Sequence, residues 1–233
     1  MSEPSKPTWH ISNTSTDLDS ELANFVADRL RKGIAARGTA SLAVSGGRTP
    51  AGFLRTLGIQ SLDWSRIYIT LADERWVPEE HTDSNTRLVR ETLLAGLAAK
   101  ANFIPLYNSA ENAAAGQPKT EQCLSALPWP LDVLVLGMGD DGHTASLFPQ
   151  APELENAYAT SAHCAAITPI TAAHSRITLS LSALISARNL LVHITSESKR
   201  QLLNAALTQA ATPFLPIRRV LDASANAHVF WTP

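Results

Sequence analysis

Cysteine is scarce in this chain of 233 residues, and its two examples, Cys123 and Cys164, lie far apart with no CxxC pair. That leaves no disulfide framework and no zinc or iron–sulfur ligand spacing, and both thiols are expected as small buried apolar groups. Long apolar runs are missing too: none approaches the roughly 18 residues that a membrane span needs. The polar start, Met1 to Thr8 with Pro4 and Pro7, lacks the apolar core of a signal peptide. A cytoplasmic protein with no membrane partner is the expectation. Nor is there an excess of either charge. With 19 Lys and Arg against 21 Asp and Glu, the formal net charge is −2. Such a chain has no broad basic surface to neutralise a phosphate backbone, so nucleic acid is not an expected partner and any anionic ligand must meet local cations. No internal repeat or low-complexity segment occurs. His10, His81, His163, His174, His193 and His228 show no metal-ligand spacing such as HExxH. They read as structural or exposed, with His81 nearest the mouth of a site. No metal and no cofactor is expected.

What is present is the composition of a folded enzyme-sized domain, 45% hydrophobic and 17% charged. The length suits one α/β domain over residues 1–233, at most with a small lobe. Leu18, Leu22, Phe25, Val26, Arg29 and Ile34 trace a helical stripe after the capping-box-like Thr16 and Asp19, which predicts a helix from about Leu18 to Arg37 with Gly38 as its stop. The apolar run Ala40 to Val44 breaks at Ser45-Gly46-Gly47 and restarts as a helix, with Thr49 as N-cap and Pro50 in the first turn. Ile67 to Leu71 and Leu131 to Leu136 read as buried strands, the first followed by a polar loop to Ser84 and a helix Asn85 to Leu97. Further strands are expected at Cys164 to Ile167, Ile177 to Leu179, Leu190 to Ile194 and His228 to Trp231, with a helix at Ser198 to Leu207. This alternation predicts a doubly wound, mostly parallel sheet with helices on both faces. In such folds ligands bind beyond the carboxyl ends of the strands, which directs attention to the loops after Val44, Leu71 and Leu136.

The first loop is Ser45-Gly46-Gly47-Arg48-Thr49-Pro50, where backbone N–H groups can converge on an anion at the start of a helix. It also stands one residue from the G-x-S-x-G nucleophile elbow, which offers Ser45 as an alternative nucleophile. The second is Asp73-Glu74-Arg75-Trp76-Val77-Pro78, three charges at a strand's end, continuing to Asp83-Ser84-Asn85; Trp76 either walls a pocket or packs in the core. The third runs from Gly137 to Pro149. It contains G-x-G-x-x-G after a strand, yet Asp140 and Asp141 would put negative charge in a pyrophosphate cradle. Pro149 also opposes a long following helix, and no strand ending in Asp or Glu follows about 20 residues on. What remains is His143 behind an Asp-Gly turn, an imidazole suited to general base work near neutral pH.

Taken together, SGGRTP (Ser45 to Pro50), DERWVP (Asp73 to Pro78) with DSN (Asp83 to Asn85), and GMGDDGHTASLFP (Gly137 to Pro149) resemble the 6-phosphogluconolactonase family, in one fold group with the glucosamine-6-phosphate deaminases. Arg176-Ile177-Thr178 and Lys199 look like the family's later phosphate-side positions. The resemblance extends in order from about Ala40 to Leu207. It implies a monomeric enzyme acting on a sugar-phosphate lactone, with no metal. His143 would act as base and then acid, oriented by Asp141 or Asp73. Arg75, with backbone N–H groups of the Gly142 loop, would serve the oxyanion or the carboxylate side. Ser45, Gly46, Gly47, Arg48 and Thr49, with Arg176 and Lys199, would hold the phosphate. The deaminase branch typically carries Glu where this chain has Phe148, and Tyr where it has Arg75; both departures favour the lactonase. A sugar-phosphate sensor is the non-enzymatic alternative, though little chain is left over for an added DNA-binding segment.

Overall fold

The helical stripe that begins at Leu18 packs as expected. In the computed structural model, which describes residues 6–208 and 215–233, α1 (Ser15–Arg37) buries Leu18, Leu22, Ala23, Val26, Ala27 and Leu30 along one face. Its cap lies earlier than the sequence suggests: Thr14 accepts the N–H of Asp17, and Gly38 closes the helix with φ of 80°. The first five residues of the polar N-terminal stretch lie outside the described residues, but Thr8–Ile11 form a strand, β1.

Seven strands make the main sheet: β1, β2 (Ala40–Val44), β3 (Ile67–Leu71), β5 (Asn102–Phe103), β6 (Val133–Leu136), β9 (Leu190–Thr195) and β10 (Ala227–Thr232). Their spatial order is β1-β10-β9-β6-β2-β3-β5, and every pairing is parallel. All residues of β2 and β6 are buried, as expected of strands covered on both faces. The helices that follow are α2 (Ala51–Gly58), α3 (Asn85–Thr92), α4 (Ala113–Leu124), α5 (Leu154–Ala159), α6 (Leu181–Ile185), α7 (Glu197–Thr208) and α8 (Pro216–Ala223). From β2 the chain winds outward to β3, whereas from β6 it winds the other way to β9. With right-handed crossovers, that reversal places helices on opposite faces and opens a crevice at the ends of β2 and β6.

Three strands depart from the expected sheet. Asp73–Arg75, read as loop, is a strand, β4, and it pairs antiparallel with β8 (Arg176–Leu179), which in turn pairs antiparallel with β7 (Cys164–Ile167). This small second sheet sets Arg75 directly opposite Arg176. Other corrections are local. Pro50 rather than Thr49 precedes α2, and no side chain caps it. The helix from Asn85 ends at Thr92. Cys164 is buried as expected, but Cys123 is exposed. No helix among the described residues is long and apolar enough to cross a membrane.

Candidate active site

The switch between β2 and β6 is occupied by a cavity of about 380 Å³, within the range of small-molecule sites. Three loops frame it. The turn after β2 contributes Ser45 through Pro50; β4 contributes Asp73 and Arg75; the loop after β6 contributes Gly137, Gly139, His143 and Phe148. Arg176 from β8 and Lys199 from α7 complete the cationic lining. Of the residues expected to act in catalysis or to hold the phosphate, Asp141 alone is absent from the lining, and its carboxylate contacts His143.

His143 is held from both sides. Its backbone N–H and its imidazole Nδ1 both reach Asp141 Oδ1, at 3.1 and 2.5 Å, and its ring packs on Phe148 with centroids 4.3 Å apart. Burial works against ionisation of Asp141, yet the backbone N–H, the imidazole charge and the side-chain hydrogen bond outweigh it and hold the carboxyl below its ordinary range. With Nδ1 engaged as donor, Nε2 is left as the acceptor. The side chain is 30% exposed, so the imidazole lies at an open rim rather than sealed in the interior.

Asp73 does not orient the histidine. It is buried, accepts the Ser146 hydroxyl at 2.5 Å, and lies 3.9 Å from the Arg176 guanidinium. Its neighbour Glu74, read as part of a charged ligand edge, turns wholly inward and accepts the N–H groups of Arg75, Asn85 and Thr86 at 2.7–2.8 Å. It therefore caps α3. Burial raises its pKa, and these hydrogen bonds only partly offset the effect.

The two arginines face each other across β4 and β8. Like charges directly opposite on paired strands repel. Burial, followed by Arg75 among the opposing charges, lowers the pKa of Arg176 against the pull of Asp73. Arg75 donates to the Asp83 carbonyl at 2.5 Å. The Nε atoms of both arginines are buried without a partner among the described residues. An anion between them would relieve both the repulsion and the unmet donors.

The glycine turn after β2 is a cradle of free donors. Among the described residues, no hydrogen bond uses the backbone N–H of Gly46, Gly47, Arg48 or Thr49. They precede α2, whose dipole adds positive potential there. Gly46 is forced by proximity: a Cβ on it would stand 1.8 Å from Asn85 Oδ1. Ser45 Oγ is buried with no hydrogen-bond partner among the described residues, so none of them activates it as a nucleophile. Lys199 donates to the Met138 carbonyl at 2.5 Å and lies 3.8 Å from Asp140.

Other expectations are corrected. The Gly142 N–H bonds to the Gly139 carbonyl at 3.1 Å, and that of His143 goes to Asp141, so neither amide is free to serve an oxyanion. Trp76 takes the second of its two expected roles, packing against the core and Tyr107 and donating to the Ala110 carbonyl rather than lining the cavity. His81 is not in the lining; with Asp83 and His174 it forms a surface group whose ligand atoms lie within 4.8 Å of one another. Conversely, His193 on β9 lines the cavity although the sequence reading took it as structural or exposed.

Comparison with known proteins gives this geometry a context. The family model described as Glucosamine-6-phosphate isomerases/6-phosphogluconolactonase matches residues 13–231. A 6-phosphogluconolactonase of Pseudomonas aeruginosa is 48% identical over 91% of this chain and 89% of its own length. One of Rhizobium meliloti is 44% identical over 96% of this chain and 98% of its own. The crystal structure of a 6-phosphogluconolactonase from Shewanella baltica superposes with a TM-score of 0.96 at 44% identity, covering 100% of both chains.

Proposed function

The chain belongs to the glucosamine-6-phosphate isomerase/6-phosphogluconolactonase family, and on that premise we propose that it is the lactonase, hydrolysing 6-phospho-D-glucono-1,5-lactone to 6-phosphogluconate. The observation that carries the mechanism is the Asp141–His143 pair at the rim of a cavity also lined by Arg75, Arg176, Lys199 and the glycine cradle.

Water adds to the lactone carbonyl carbon while His143 Nε2 takes its proton. The bond between that carbon and the ring oxygen then breaks, and the imidazolium returns the proton to the departing oxygen. Asp141 fixes the tautomer and balances the transient positive charge. Arg75 stabilises the carbonyl oxygen as it gains charge. The phosphate lies in the Ser45–Thr49 cradle with Arg176 and Lys199 as its counter-charges. Every proton in this scheme has a protein group or water to carry it, so it uses no metal and no cofactor. The working form is a cytoplasmic monomer.

Deaminase chemistry is disfavoured by Phe148, a phenyl against the His143 ring at a position where deaminases typically supply a carboxylate. The deciding experiment follows lactone hydrolysis, corrected for spontaneous opening, beside glucosamine 6-phosphate. Catalysed opening of the lactone with no release of ammonia from the amino sugar supports this reading, and the reverse overturns it.

A further inference from the structure

Four buried polar atoms in the lining of the cavity have no hydrogen-bond partner among the described residues: Ser45 Oγ, Arg75 Nε, Arg176 Nε and His193 Nδ1. The first three belong to residues already discussed. His193 has no assigned role and no evident reason to be polar. It stands in the apolar strand Leu-Leu-Val-His-Ile-Thr of β9, 4% exposed, with Phe53 of α2 edge-on to its ring at 6.2 Å. An aliphatic residue would pack there without the cost of an unpaired polar group, so the imidazole calls for a partner that the protein itself does not supply.

Its surroundings define that partner. β9 adjoins β6 at the switch point, and His193 shares the cavity with Lys199 and with the Gly46–Thr49 turn, whose backbone N–H groups have no partner among the described residues. Burial depresses its pKa to about 4, so the ring is uncharged at neutral pH and offers one N–H donor. An uncharged donor needs no counter-ion in the ligand-free cavity, while Lys199 and Arg176 supply the charge.

We propose that His193 is a binding residue of the phosphate subsite, donating its N–H to the phosphate ester alongside Lys199 and the glycine-turn amides. This rests on the reading of the cavity as a sugar-phosphate site. It is tested by titrating wild type, His193→Phe and His193→Gln with 6-phosphogluconate, gluconate and inorganic phosphate. His193→Phe is expected to weaken 6-phosphogluconate and phosphate roughly 10-fold or more, the size of one hydrogen bond to a charged group, and to leave gluconate unchanged. His193→Gln, which keeps an N–H, recovers part of the loss. In turnover the effect falls on KM rather than kcat, and the melting temperature of His193→Phe stays level or rises. His193→Leu replaces it should the larger ring disrupt packing. Equal phosphate affinity in wild type and the apolar variant overturns the assignment, as does an equal loss for gluconate. A wild type that binds phosphate but opens no lactone would refute the proposed activity and leave these titrations to decide His193.

Discussion

Asp141 grips His143 twice through a single oxygen, Oδ1, which accepts both the backbone N–H at 3.1 Å and the imidazole Nδ1 at 2.5 Å. A two-residue separation makes this a local device: the Asp-Gly turn that presents the histidine also carries its orienting carboxylate. His143→Ala is therefore expected to lower kcat by about 10²- to 10⁴-fold, the usual contribution of a positioned base, with little change in binding of 6-phosphogluconate. Asp141→Asn should cost less, because the imidazole remains. Steady-state kinetics decide this, and near-normal turnover in the alanine variant would remove His143 from the mechanism.

The same pair sets a pH dependence of stability. The folded Asp141 carboxyl ionises below its ordinary value of 3.8, so unfolding takes up protons in the window beneath that value. Its contribution is complete above the ordinary value and is lost as the pH falls through the depressed one. Glu121 is depressed as well: burial opposes ionisation, but the N–H groups and side chains of His163 and Cys164 prevail. Asp141→Asn should consequently show a flatter stability curve than wild type below about pH 4. Urea melts across pH 2–7 provide the comparison.

Lys199 tests the phosphate end. Its ammonium lines the same cavity as Arg176 and approaches Asp140 at 3.8 Å. Removing one charge from a site that retains Arg176 and the backbone cradle weakens ground-state and transition-state binding alike. Lys199→Ala should raise KM roughly 10-fold, the worth of a charged hydrogen bond, with kcat nearly unchanged. A loss confined to kcat would instead move Lys199 to the reacting end.

How much of this was legible in sequence depends on whether the cause was local. The parallel sheet was legible because buried strands such as Val133–Leu136 appear as unbroken apolar runs; His143 was legible from its turn, but Asp141 and Asp73 stood as equal partners for it until the second sheet placed Asp73 against Ser146. Asp73–Arg75 was not recognised as a strand: its partner, Arg176–Leu179, is about a hundred residues away and its polar letters look like loop. The same blindness hid the inward turn of Glu74 and the pairing of Asp73 with Ser146. α4 was missed because Pro118 interrupts an alanine-rich segment that still folds as helix, with Asn112 capping its start. His193 gave one weak signal, a lone polar letter in an apolar strand.

Glu74 yields a stability prediction free of catalysis. Its buried carboxylate satisfies three backbone N–H groups, and Glu74→Ala would strand all three. Each unsatisfied buried donor costs about 1–3 kcal/mol, partly relieved by solvent entry, so a net loss of about 2–4 kcal/mol is expected. Half-buried Glu79→Ala should change stability by less than about 1 kcal/mol, since Glu79 and Arg90 form a solvent-accessible ion pair. Equal denaturation midpoints for the two variants would mean that Glu74 does not hold α3 to β4.

Gly139 links backbone choice to chemistry most directly. A Cβ there would stand 2.1 Å from His143 Cε1 and 2.2 Å from Nδ1, far inside van der Waals contact. The ring is already packed against Phe148, with centroids 4.3 Å apart, and cannot leave Asp141 without losing its orientation. Gly139→Ala should therefore displace the imidazole and cost kcat about as much as Asp141→Asn or more, since misplacement of a catalytic group by about 1 Å can cost 10²-fold. Phosphate affinity should survive, because the cradle after β2 is untouched. The discriminating measurement sets lactone turnover beside inorganic phosphate binding in the same variant: a parallel fall in both would point to collapse of the cavity rather than to the histidine.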